Sequence, residues 1–330
     1  MKKILVTGAT GFVGSHFCDY LIVNKISNKI FVTKRYHLSK LDNLMHIKNK
    51  ITFLDCDITD PVSVNDLIKN LKPDIIFHFA AESFVSPSWL HPNRYMSVNY
   101  NGTLNLLEAI KNFSIKTKIL IPGSGEEYGE LSKAEMPITV NTNLKPVNPY
   151  AVSKIAQDLI SYVYHKSYKL NVYRCRTFNH EGPRREKVFG ISWYAYQIAR
   201  IERGLQKPII KTGDTDDLRN FTHVKDICDA YWKCVERCKK GELYLVGTES
   251  KNNIHTFKDS LKKLIQMSSV KNVKIIQVPE FTRPTKVPFL LADVKKFKKV
   301  TGWKPKISFN EILLSTLNYW REKLDKNKLE

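Results

Sequence analysis

Residues 7–14 read TGATGFVG, directly after the apolar run KILVT (3–7) and at the start of FVGSHFCDYLIVN (12–24), whose apolar residues recur at helical spacing. Gly8, Gly11 and Gly14 therefore fall at the turn between a strand and a helix. Glycine at such positions permits a tight turn, lets a pyrophosphate approach backbone N–H groups, and lets helix and strand pack closely, while the helix N-terminus attracts the anion. The spacing predicts a dinucleotide-binding turn, with Thr10, Phe12 and Val13 of the same stretch also meeting the ligand.

The rhythm set by this turn continues along the chain. Strand-like runs KIFVT (29–33), ITFLD (51–55), DIIFHFA (74–80), KILIP (118–122) and NVYRCR (171–176) alternate with helical patterns in VSVNDLIKNL, YMSVNYNGTLNLLEAIKNF and NPYAVSKIAQDLISYVYHKSY. That alternation predicts parallel βαβ units with helices on both faces, an α/β class fold with a Rossmann-type doubly wound sheet over residues 1–177. After residue 177 come loops rich in Pro, Gly and Arg, short strands PIIKT and ELYLV, and helices near 224–238, 256–267 and 309–324. They predict a smaller, discontinuous lobe over 178–330, with some segments returning to the first domain and a cleft between the two.

Composition narrows the possibilities. A chain of 330 residues, 42% apolar and 26% charged, suits one large globular unit or two closely joined lobes. No run approaches the ~20 apolar residues of a membrane span, and MKKILVTGATG enters a strand and a glycine loop where a signal peptide would carry its apolar core, so a cytoplasmic protein without membrane partners is expected. Cys18, Cys56, Cys175, Cys228, Cys234 and Cys238 form no CxxC pair, which predicts reduced, packed thiols and no metal. The net charge of +21 comes from lysines scattered along the whole chain, a distribution that argues for a solvated surface and against nucleic acid. Such a field also draws in an anionic nucleotide.

In NAD-binding proteins an acidic residue about 20 positions beyond the glycines holds the adenosine ribose. Here the second strand ends in Thr33-Lys34-Arg35, and a basic Arg35 suits a 2′-phosphate, so NADP is preferred, with NAD as the alternative. Asp57-Ile58 and Ala80-Ala81, after the third and fourth strands, occupy places past which the adenine and the central part of a dinucleotide would run.

Tyr150-Ala-Val-Ser-Lys154 places a tyrosine and a lysine four apart on one helix face. A neighbouring ammonium favours the ionised tyrosine and makes it a usable base toward a substrate hydroxyl. Ser124, at the end of the fifth strand, can hold the same hydroxyl.

With these residues in view, TGATGFVGSH, AAESFV, NYNGTLNLLEAI, GSGEEYGE and YAVSK resemble the extended short-chain dehydrogenase/reductase family over nearly the whole chain. FNHEGPRRE (178–186) resembles GDP-mannose 4,6-dehydratases, and RNFTHVKDICDAYW (219–232) and TRPTKVPFLLADVKKFKKVTGWKPKISF (282–309) resemble both these and GDP-4-keto-6-deoxymannose reductases. The resemblance implies that Ser124, Tyr150 and Lys154 form the catalytic triad and that Glu126 is the dehydratase glutamate. It places Ser83 at the cofactor and substrate, and Asn179, Arg185, Arg219 and Arg283 at the nucleotide portion of a GDP-linked sugar. It also implies a homodimer or homotetramer built through helices that begin near Asn93 and Asn148.

A 4,6-dehydratase oxidises C4, removes the C5 proton, expels the C6 hydroxyl and reduces C6, which requires a second acid/base. Glu126, two residues past Ser124, is the candidate, and Glu127 is expected to face away. The alternative is a C4 reductase or dehydrogenase without dehydration. Gly125 stands where many nucleotide-sugar dehydratases carry an aspartate, Lys286 where the dehydratases often carry an acid, and Pro288 leans toward the reductases.

Overall fold

The computed structural model describes residues 2–326; Met1 and residues 327–330, the outermost parts of the expected lobes, lie outside the described residues. Six strands come from the first 177 residues: β1 (Ile4–Thr7), β2 (Ile30–Lys34), β3 (Thr52–Asp55), β4 (Ile75–His78), β5 (Lys118–Ser124) and β6 (Asn171–Thr177). A seventh, Leu243–Val246, arrives from far along the sequence and pairs in parallel with β6. The order across the parallel sheet is Leu243–Val246, β6, β5, β4, β1, β2, β3. It reverses direction between β1 and β4, where a crevice opens at the carboxyl ends of the strands.

Both faces of the sheet are covered. On one, Phe17 and Leu21 of α1 (Phe12–Val23) meet Ile227 and Tyr231 of the helix Val224–Arg237. On the other, Val64 and Ile68 of α2 (Pro61–Leu71) pack with Leu106 and Ile110 of the helix Gly102–Phe113 and Tyr164 of the helix Pro149–Tyr168. Local chemistry sets the boundaries. Asp60 accepts a bond from Val62 N, Pro61 opens α2, and the helix ends at Lys72 in the left-handed region, φ 47°. Asn148 caps the helix Pro149–Tyr168 through Ala151 N. The stretch expected as one helix after Asn93 is instead a short turn of helix, Pro92–Tyr95, then a wider π-type segment, Met96–Asn101, and only then Gly102–Phe113.

A third core cluster lies between the helices Gly190–Glu202, Phe257–Gln266 and Phe309–Lys326, where Ile191 and Ile198 meet Leu261, Leu264, Ile312 and Leu317. The first of these helices falls in a region whose composition suggested loops. Short strands tie this layer together: His180–Glu181 beside Thr222–His223, Leu218–Asn220 between Ile254–Thr256 and Phe289–Leu290, and Ile209–Thr212 beside Lys274–Gln277. All six cysteines are free and buried. No helix among the described residues is long and apolar enough to cross a membrane.

Candidate active site

A cavity of about 600 Å³ runs along the carboxyl ends of the strands, from the glycine turn to the second layer of helices. Gly8 sits at φ +66°, and a Cβ there would lie 2.5 Å from Ala80 N; one on Gly14 would lie 2.4 Å from Gly8 O. The turn is thus held against the β4 loop by the absence of side chains. Gly11 caps α1 without a side-chain bond and the first turn carries no acid, so its N–H groups are open to an anion. This cradle fits a pyrophosphate, and Thr10, Phe12 and Val13 line it.

At the far end of the cofactor limb, Arg35, Asp57 and Ile58 line the cavity with Ser39 and Lys40. Burial works against the charged Asp57 carboxylate, yet bonds from Thr59 and the charges of Arg35 and Arg94 hold it below its usual range. Lys34 is paired with Asp55. Ala80, Ala81 and Ser83 form the floor after β4.

The catalytic candidates converge where β5 ends. Ser124 caps the turn Gly125–Tyr128, its Oγ accepting from Glu126 N at 3.2 Å, while its own N–H donates to Glu127 Oε1 at 2.7 Å. The two consecutive glutamates therefore part company. Glu126 faces the cavity, its Oε2 accepting from Asn148 Nδ2 at 3.2 Å and its Oε1 3.9 Å from Arg283 Nη1. Glu127 is fully buried against Arg176 Nε at 2.6 Å, and Arg176 in turn reaches Asp158 at 2.8 Å. Gly125 faces the ring of Phe178, 3.1 Å from where a Cβ would stand, so an aspartate has little room there.

Tyr150 and Lys154 both line the cavity. Lys154 Nζ donates to Pro122 O at 2.7 Å and to Gln157 Oε1. Burial pushes the Tyr150 phenol well above its usual value, and the hydrogen bond with Ser124 pulls it back in part. Burial also lowers Lys154, against the opposing pull of Glu127 and Asp158. Without ligand Tyr150 is the neutral phenol.

Asn179, Arg185 and Arg283 line the substrate limb. Arg185 stacks over Phe189 at 3.8 Å and over Phe12 at 4.9 Å. Arg219 does not reach the cavity wall: it is 2% exposed, with Nη2 3.1 Å from Asp217 and Nη1 3.0 Å from Leu218 O. Lys286 is paired with Asp214. His180, Glu181 and Tyr231 also line the cavity and were not singled out from sequence, although the first two stand next to Asn179 in FNHEGPRRE. The polar HE pair directly after a strand was the available signal.

A glycine cradle for a dinucleotide leading to serine, tyrosine and lysine on one wall defines an extended short-chain dehydrogenase/reductase. A family model described as GDP-mannose 4,6 dehydratase matches residues 5–316, and the chain belongs to that family of NAD(P)-dependent enzymes. It is 30% identical over 324 residues to the GDP-6-deoxy-D-mannose reductase of Pseudomonas aeruginosa, covering 98% of each chain. It is 29% identical to the GDP-mannose 4,6-dehydratase of Yersinia enterocolitica, over 94% of this chain and 92% of that one. The solved structure of RMD from Pseudomonas aeruginosa complexed with NADPH superposes with a TM-score of 0.82 at 28% identity, over 98% of this chain and 100% of that one.

Proposed function

We propose that the protein is a 4,6-dehydratase of a GDP-linked sugar that uses tightly bound NADP. The observation that carries this reading is Glu126, a carboxylate on the same cavity wall as Ser124 and Tyr150. A bound nicotinamide supplies reversible two-electron redox chemistry. Ser124 holds the C4 hydroxyl and Tyr150 takes its proton, with Lys154 as the nearby cation. Once C4 is a ketone, the C5 proton is acidic, and Glu126 removes it and protonates the departing C6 hydroxyl. C4 is oxidised and C6 reduced, so the electrons balance within the sugar and one water leaves. Arg185 and Arg283 suit a diphosphate because guanidinium pairs with phosphate oxygens. Arg35, beside Asp57, favours NADP over NAD.

A second reading, reduction or oxidation at C4 alone, is favoured by the end-to-end match to the reductase and by the ties of Glu126 to Asn148 and Arg283. Incubation with GDP-mannose in deuterated water separates the two. Loss of water with one deuterium at C5 and constant absorbance near ~340 nm supports dehydration; a net absorbance change without water loss overturns it. We place the enzyme in the cytoplasm and infer a homodimer or homotetramer. Val152, Leu159 and Val163, each nearly half exposed, form a stripe along the helix Pro149–Tyr168 that a second copy would cover.

A further inference from the structure

Beneath the cofactor limb lies a string of buried polar side chains of which the reaction above uses only the last, Lys154. Thr7, His78, Thr103, Gln157 and Lys154 are each no more than 5% exposed, and they connect β1, β4, the helix Gly102–Phe113 and the helix Pro149–Tyr168. The hydrogen bonds along it have a forced direction. Thr103 Oγ donates its one proton to Asn99 O at 2.7 Å. Toward its other neighbours, His78 Nε2 at 3.0 Å and Gln157 Nε2 at 2.6 Å, the hydroxyl therefore only accepts.

His78 must then carry its proton on Nε2, leaving Nδ1 to accept from Thr7 Oγ at 2.7 Å. Thr7 Oγ in turn accepts from Ala80 N at 3.3 Å, on the floor of the cofactor limb. Gln157, its amide nitrogen committed to Thr103, can present only its carbonyl oxygen to Lys154. We propose that this one-directional chain makes Gln157 the positioning residue of Lys154, holding the ammonium charged and aimed at the end of β5.

The surroundings agree. Burial lowers the proton affinity of Lys154, so each acceptor that faces Nζ counts, and there are two, Pro122 O and Gln157 Oε1. The ionisable groups around Lys154 are Glu127 from the turn after β5, Asp158 and Tyr150 on its own helix, Cys175 of β6 and His78 of β4. Glu127 and Asp158 are already engaged by Arg176, which leaves Gln157 as a neutral, local control. His78, fully enclosed and lowered to about 3 by burial and by the Lys154 charge, stays neutral and keeps its place in the chain.

This inference rests on the catalytic reading of Lys154, and the test separates the two. In nitrogen-15 NMR of the unliganded full chain labelled at histidine, with the His78 signal assigned through His78→Asn, a neutral ring protonated at Nε2 is expected from pH 6 to 8. A ring protonated at Nδ1, or one that titrates in that range, overturns the chain whatever the enzyme catalyses. The pH dependence of NADPH affinity, and of turnover on GDP-mannose, is then compared among variants. Gln157→Leu is expected to move the alkaline loss about one unit lower, and Gln157→Glu to move it higher, because a carboxylate favours the ammonium. An alkaline limb that stays put in both variants overturns the positioning role. Shifted affinity without turnover on GDP-mannose would keep it and discard the assigned substrate.

Discussion

Glu126 and Glu127 are chemically identical neighbours with opposite fates, decided by which way a strand end turns. Glu126→Gln keeps the shape of the site and an acceptor for Asn148, but removes the proposed base and its charge beside Arg283. Product formation is expected to fall by about 10² to 10⁴, while C4 oxidation remains visible as a single-turnover absorbance change. Glu127→Gln acts elsewhere: it removes one of the two carboxylates around the buried Arg176, which keeps Asp158, so it costs about 1–3 kcal/mol and appears as a lower denaturation midpoint. Consecutive acids after an apolar strand were legible as a site. That Glu127 faces away was legible as well, but its partner was not, because Arg176 stands within the run NVYRCR, which reads as an ordinary strand. For the same reason His78 passed as one polar letter in DIIFHFA, and its bonds to Thr7 and Thr103 exist only after folding.

At the scale of elements, the glycine turn was fully readable because its requirement is steric. Gly14→Ala places a methyl 2.4 Å from Gly8 O and 2.6 Å from Ala9 Cα, so α1 must lift from its cradle. NADPH binding is expected to weaken at least tenfold, measured by calorimetry, with a few kcal/mol of stability lost. The apolar stripe on the helix Pro149–Tyr168 makes a separate prediction. Leu159→Glu combined with Val163→Glu should convert the assembly to monomers in light scattering at micromolar concentration, while the wild-type chain stays associated. The helix Gly190–Glu202 escaped the sequence reading even though Ile191, Ala195 and Ile198 share a buried face. Most of its apolar partners lie beyond residue 256, and its flanks are rich in Pro, Gly and Arg, so the local pattern looked like loop. Arg219 shows the converse: a motif names it for the nucleotide, and its burial beside Asp217 is a property of the fold that the motif does not reveal.

For the whole molecule, buried histidines set the response to acid. Burial lowers His16 and His223 to about 4 and His78 and His180 to about 3. Unfolded, each titrates near ~6.5. Their contribution is complete above that value and is lost as pH falls toward the folded values, because the unfolded chain binds the protons first. Each histidine contributes a slope of about 1.4 kcal/mol per pH unit in that window. The raised carboxylates Glu127, Glu181, Asp217 and Asp226 oppose the trend in part. The denaturation midpoint is expected to hold between pH 7 and 8 and to drop steeply from 6.5 to 4, by calorimetry; a flat profile would contradict the buried neutral rings.

The strand Leu243–Val246 completes the sheet beside β6, which ends at Thr177. During biosynthesis β6 therefore leaves the ribosome long before its neighbour is translated, and the nascent sheet carries an unpaired edge in the interval. A ribosome stalled before residue 243 would display that edge to every other half-made copy on the same message.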